Sequence, residues 1–175
     1  MNIVRVHLKK SPAEYFGALV ALQQQFANAC NFVAEIASSN DCFSRIRLHH
    51  IAYKATRERF PQLGSQLVSN AIYSVCRKAR IDQSKASELL KFDEFSPVIF
   101  DRHTLSLKLS TLSILALDGR IRFQVKLSSE FLRLFKETPL KEVQLIRDQG
   151  EFFLLFFFKN LILEKDPLSI ENEKV

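Results

Sequence analysis

The clearest pattern in the chain lies at Leu63–Ala79, LGSQLVSNAIYSVCRKA. At 3.6 residues per turn, Leu67, Val68, Ala71, Ile72, Val75, Cys76 and Ala79 fall on one apolar face. Ser65 stands where an N-cap is expected, after the breaker Phe60-Pro61-Gln62-Leu63-Gly64. Gln66, Asn70, Tyr73 and Arg77 form a second stripe of amide, phenol and guanidinium groups, with Lys78 and Arg80 at the far end. Such a stripe suits nucleic-acid contact. It also fits a solvated helix face whose cations favour the helix C-terminus.

Upstream, Ile3–Leu8 reads as a short strand. Ser11-Pro12-Ala13-Glu14 combines an N-cap, a proline at the first helical position and a capping-box glutamate. Tyr15, Leu19, Leu22, Phe26, Cys30 and Val33 then recur at helical spacing, which predicts one long helix from Pro12 to Ala37. A second helix is expected over Leu48–Arg59, with Leu48, Ile51, Ala55 and Arg59 on one side. Its adjacent His49 and His50 point to different faces, so they lack the i, i+4 geometry of a helical metal site. A weaker helical stretch runs from Gln83 to Lys91.

Past Phe92 the period changes to two. Strands are expected at Val98–Phe100, Leu105–Leu109, Leu112–Leu117, Arg120–Val125, Val143–Ile146 and Phe152–Phe158, with a short helix at Ser128–Phe135. Asp118-Gly119 and Gln149-Gly150 mark the hairpin turns. The last strand is apolar on both sides and should be central or covered. The opening strand needs a partner, and the only sheet follows residue 95. The pattern therefore predicts an α+β fold: an antiparallel β-barrel interrupted after its first strand by an inserted helical bundle. The split barrel would comprise residues 1–8 and 93–165, the helical insertion 9–92, and a polar tail 166–175.

Charge sharpens this picture. The net charge is +6, and residues 9–92 hold 12 Lys/Arg against 6 Asp/Glu, so a polyanion-facing surface is expected in that part. Three cysteines without CxxC spacing, two of them on apolar helix faces, point to buried free thiols and a reducing compartment. There is no charged-then-apolar leader pattern, and Phe152–Phe158 is too short to span a bilayer. The expectation is a cytoplasmic protein without a membrane partner.

The layout resembles the N-terminal half of the TnpB family, transposon-encoded RNA-guided DNA endonucleases related to type V CRISPR effectors. The residues that carry the resemblance are Phe26-Ala27-Asn28-Ala29-Cys30-Asn31, Phe60-Pro61-Gln62-Leu63, Ser65-Gln66, Asn70-Ala71-Ile72, Asp118-Gly119-Arg120 and Gly150-Glu151-Phe152-Phe153-Leu154. The resemblance implies that the split barrel is a wedge domain and the helices a recognition domain, together holding a guide RNA and reading a short motif in double-stranded DNA. The family's RuvC nuclease domain would follow, but its Gly-Ile-Asp-Leu-Gly type strand, later acidic pair and CxxC are missing from this sequence. The chain would then bind RNA and DNA without cutting, and any nuclease would be a separate subunit.

By position, the resemblance places Gln66 and Asn70 among the motif-reading residues, where an amide can bond bidentately to adenine. Tyr73 could stack on a base or pack at a domain seam. Arg77, Lys78, Arg80 and Lys85 would contact phosphates. Arg120, Arg122 and Lys126 alternate along one strand face, either as an RNA-backbone stripe or as a solvated barrel face.

Catalytic signatures are lacking: there is no G-x-S-x-G, P-loop or Rossmann glycine pattern. Asp101 and His103, two residues apart, are read as an incidental turn pair. No cofactor or metal is expected, and no enzymatic activity. Two other readings compete with the nucleic-acid module. One is a stand-alone DNA-binding regulator, and the other a transposon remnant whose apolar last strand has lost its partner.

Overall fold

The computed structural model describes residues 2–8, 13–82 and 89–159. The chain enters as strand β1 (Asn2–His7) and passes into three helices, α1 (Ala13–Ser39), α2 (Arg45–Arg59) and α3 (Ser65–Ile81). It returns through β2 (Val98–Phe100), β3 (Leu105–Lys108), β4 (Thr111–Ala116) and β5 (Gly119–Gln124). Helix α4 (Ser129–Glu137) and the hairpin β6 (Leu140–Asp148) and β7 (Glu151–Phe158) follow. The fold is α+β with antiparallel sheets.

As the opening strand required, β1 finds its partner at the far end of the sequence. It pairs with β7, from Asn2 opposite Phe158 to His7 opposite Phe153. The four-stranded sheet has the order β1-β7-β6-β2, and β3-β4-β5 form a second sheet of three. The strands form these two open sheets, and no closed barrel is found among the described residues. β1 and β5 are sheet edges with one hydrogen-bonded neighbour each, and no ladder joins them among the described residues.

β7 is central, as its two-sided apolar character requires. Phe152, Leu154, Phe156 and Phe158 are buried, while Phe153, Leu155 and Phe157 are half-buried. The amphipathic α4 lies over its inner face: Phe131 meets Phe156 edge-on at 5.1 Å and Phe158 at 6.2 Å. On the other sheet, Leu112, Ile114, Ile121 and Phe123 are buried, with Tyr15 of α1 edge-on to Phe123 at 5.6 Å. Leu19, Leu22, Phe26, Cys30 and Val33 of α1 join α3 and both sheets in one continuous hydrophobic cluster.

Several local expectations shift. Helix α2 begins earlier, at Arg45, and buries Leu48, Ala52 and Thr56, while Ile51 is exposed. Small Ala52 and Thr56, whose hydroxyl bonds back to Ala52, let α2 pack closely. The N-cap of α3 is Gly64, and Ser65 is its first residue. A Cβ on Gly64 would meet Leu115 of β4 at 3.3 Å, so glycine permits this approach. The first hairpin turns at Leu117-Asp118, and Gly119, with φ 107°, opens β5. Gln149 (φ 49°) and Gly150 (φ 79°) form the second turn as expected. Residues 89–91 are not helical. The capping box at Ser11-Pro12, residues 83–88 including Lys85, and the tail 166–175 lie outside the described residues. Among the described residues, no helix is long and apolar enough to cross a membrane.

Candidate nucleic-acid interface

The polar stripe of α3 faces the four-stranded sheet. Gln66 Nε2 donates to Asp101 Oδ2 at 2.5 Å, just past the end of β2. Asn70 is buried, and its Nδ2 donates to the Ile99 carbonyl of edge strand β2 at 3.0 Å. Tyr73 donates its hydroxyl to Glu142 Oε2 at 3.1 Å, and Arg77 reaches Glu142 Oε1 at 3.2 Å. Glu142 follows a β-bulge in β6 and is only 3% exposed. Gln144 gives it a third donor at 2.7 Å. A buried carboxylate needs such partners, so Glu142 links α3 to the sheet.

The four residues share a face, as their spacing predicts, and that face borders the sheet, with Asn70 buried and Gln66, Tyr73 and Arg77 half-buried. Asn70 therefore offers no group to a DNA groove in this arrangement, and the Gln66 amide is already bonded. Burial, and after it the Glu142 carboxylate, push the Tyr73 phenol above its ordinary range. Arg45 of α2 lies 4.9 Å over the Tyr73 ring and occupies that face of it. Of the expected phosphate-contacting residues, Arg77 is engaged with Glu142, Lys78 pairs with Asp82 at 2.9 Å, and Arg80 is exposed.

A second polar bond set returns the chain from the helices to the sheet. Asn31 of α1 holds both main-chain groups of Phe92, donating to its carbonyl and accepting from its N–H, each at 2.8 Å. Gln23 donates to the Ser96 carbonyl at 3.1 Å.

The three-stranded sheet is different. Its inner face is buried, and the alternation of β5 leaves Arg120, Arg122, Gln124 and, beyond the strand, Lys126 exposed. The register sets Arg122 opposite Ser113 and Gln124 opposite Thr111, and on β3 it sets Ser106 opposite Ser113 and Lys108 opposite Thr111. Opposed residues share a face. Lys108, Arg120, Arg122 and Lys126 therefore lie on one side with Ser106, Thr111, Ser113 and Gln124, and among the described residues no Asp or Glu of these strands shares that side. Contacts across the face agree with this geometry: Gln124 Nε2 donates to Thr111 Oγ1 at 3.0 Å, and Arg120 reaches Ser113 Oγ at 3.4 Å. Arg120 also donates to the His103 carbonyl at 2.6 Å, so its guanidinium is held in place. At one end, Leu115 is half-buried beside Gly64, where α3 begins.

The spacing of Arg120, Arg122 and Lys126 anticipates this stripe, and the cross-strand register adds Lys108. Helix α2 is a further cationic element that the sequence reading passed over. It carries Arg45, Arg47, Lys54, Arg57 and Arg59 against a single acid, Glu58. That count was the available signal. Arg57 donates to the Leu63 carbonyl, while Arg45, Arg47, Lys54 and Arg59 are exposed.

His49 stacks on Tyr53 at 4.7 Å and contacts Ser69, while His50 is exposed, so the two do part as their adjacency requires. Asp101 caps its own turn by accepting from the His103 and Thr104 N–H groups at 2.9 and 3.1 Å. Among the described residues, no group of three or more His, Cys, Asp or Glu could hold a metal ion. No protein-family model matches the chain, and no match was found among the curated proteins.

Proposed function

We propose that this chain is a nucleic-acid-binding module whose contact surface is the outer face of β3-β4-β5. The observation that carries the reading is the set of four cations on that face with hydroxyls and an amide between them and no carboxylate. Lys and Arg neutralise phosphates, and Ser, Thr and Gln bond to phosphate and sugar oxygens. A face of this kind positions a nucleic-acid backbone without selecting a base sequence.

Within this reading the chain is a TnpB-like wedge and recognition half. The two sheets are an opened form of an OB-like split barrel (residues 1–8 and 93–165), and α1–α3 are the recognition insertion (9–92). Two features support this: β1 pairs with the last strand across the whole helical insertion, and Asn31, part of the resembling segment in α1, anchors the return of the chain at Phe92. The module binds structured RNA and double-stranded DNA in the cytoplasm, needs no cofactor, and leaves strand cleavage to a separate nuclease subunit. Asn70, buried against β2, leaves base reading to other groups, and the half-buried Gln66 and Tyr73 stay candidates for it.

The test is to express the chain in cells that carry its native flanking DNA, purify it and sequence the RNA that accompanies it. One enriched RNA from the adjacent locus is expected. Folded protein that carries no enriched RNA, and that prefers a duplex sequence in RNA-free solution, would instead mark a DNA-binding regulator.

A further inference from the structure

The two sheets end facing one another. β1 is an edge of the four-stranded sheet and β5 an edge of the three-stranded one. Between β1 and residues 124–128 lies a cleft of about 410 Å³, within the size range of ligand-binding clefts. No backbone hydrogen bond of the described residues crosses it.

Register decides which main-chain groups point into the cleft. The Leu8 N–H bonds to the Phe152 carbonyl at 3.0 Å. Antiparallel residues alternate between bonded and non-bonded pairs. Val4 and Val6 thus bond toward β7, and the N–H and C=O of Arg5 and His7 turn toward the cleft. On the other wall, the Val125 N–H bonds to the Ser110 carbonyl at 2.8 Å. By the same alternation Phe123 bonds toward β4, and the main-chain groups of Gln124 turn outward.

Both walls therefore offer donors and acceptors in alternation. A peptide main chain answers both kinds. The phosphate groups of a nucleic-acid backbone are acceptors only and do not meet the inward carbonyls at the regular spacing of a peptide main chain. Buried Val6, Val125 and Phe131 line the cleft, together with Arg5, His7 and Lys126, and no acid lines it among the described residues. Arg5 and His7 already meet Asp148 and Glu151 at 2.7 and 3.0 Å, so among the described lining residues Lys126 is the cation an incoming carboxylate would find.

We propose that this seam binds an extended, acidic peptide segment as an added β-strand between β1 and β5. Its alternate small apolar side chains pack on Val6, Val125 and Phe131, and its acidic side chains face Lys126. The mode is strand addition, in which main-chain bonds give affinity and alternate side chains give specificity. The partner is a protein; the seam adjoins the proposed phosphate-binding face and shares Lys126 with it.

The experiment is residue-resolved amide hydrogen exchange on the full chain, with an acetylated, amidated hexapeptide alternating glutamate and valine as the probe. With saturating peptide, exchange at the Arg5, His7 and Gln124 amides is expected to slow by about tenfold or more. A peptide N-methylated at alternate residues should have no effect, and Lys126→Glu should weaken the hexapeptide by about threefold. The proposal is overturned by any of four results: no slowing, equal slowing by the N-methylated peptide, unaltered affinity in Lys126→Glu, or slowing at the Arg5 and His7 amides by an oligouridylate in place of the peptide. Amides already slow before peptide is added would also overturn it, because the seam would then be closed.

Discussion

Asn70→Ala separates a helix stripe that holds the sheet from one that reads DNA. Asn70 is 4% exposed, and its amide is bonded to the Ile99 carbonyl on edge strand β2. Removing the amide leaves that carbonyl buried without its donor. An unsatisfied buried group costs about 1–3 kcal/mol. For a chain of this size each kcal/mol lowers Tm by about 2–4 °C, so a cost near 2 kcal/mol corresponds to a fall of roughly 4–8 °C. Urea unfolding should show a lower midpoint with an unchanged slope, because the surface exposed on unfolding is the same. Below the transition, the folded variant should bind structured RNA and duplex DNA as the parent does. An unchanged midpoint together with lost DNA-sequence preference would refute the reasoning and return Asn70 to the groove.

Three further outcomes follow from individual groups. Tyr73 has a folded-state pKa raised from 10.0, chiefly by burial. The unfolded chain then loses this proton first, so the contribution is intact below the unfolded pKa and is lost as pH climbs toward the folded one; unfolding midpoints of Tyr73→Phe should be flatter across that alkaline window. Cys30, Cys42 and Cys76 are all buried, and burial raises the Cys30 and Cys76 thiols, so a thiol reagent should label them only as fast as the protein opens, and rapid labelling of native protein would contradict this packing. Ser128 caps α4 by accepting from the Phe131 N–H at 3.1 Å; Ser128→Ala should cost about 1 kcal/mol by denaturant titration, and no cost would mean that α4 is held by its phenylalanines alone.

Much of the fold is legible in the chain because periodicity reports which residues share a face. Every apolar position assigned to α3 is buried, and the central place of β7 follows from its two-sided apolar character. Periodicity does not report what a face meets. Gln66, Asn70, Tyr73 and Arg77 carry donors that suit a nucleic-acid groove and a sheet edge equally. Their acceptors, Asp101, Ile99 and Glu142, lie about thirty to seventy residues downstream, a separation that local pattern cannot bridge. In α2 the apolar weight of Ile51 draws the expected face one position away from Ala52, yet close helix packing favours the smaller residue. Sheet closure is likewise a matter of hydrogen bonds between distant edges, and a run of strands is compatible with a barrel or with two open sheets. The stripe on β5 is legible for a simple reason: in a strand, alternation alone sets which side chains face out, and Arg120, Arg122 and Lys126 obey it.

The most direct test of the nucleic-acid reading is the salt dependence of RNA binding by the parent chain and by a Lys108→Gln/Arg122→Gln/Lys126→Gln variant. Each phosphate contact adds about 0.7–0.9 to the slope of log affinity against log salt. The account predicts salt-sensitive binding by the parent and a slope smaller by about 2–3 in the variant, with the unfolding midpoint unchanged. Equal slopes in the two proteins, or binding by the parent that does not respond to salt, would contradict it.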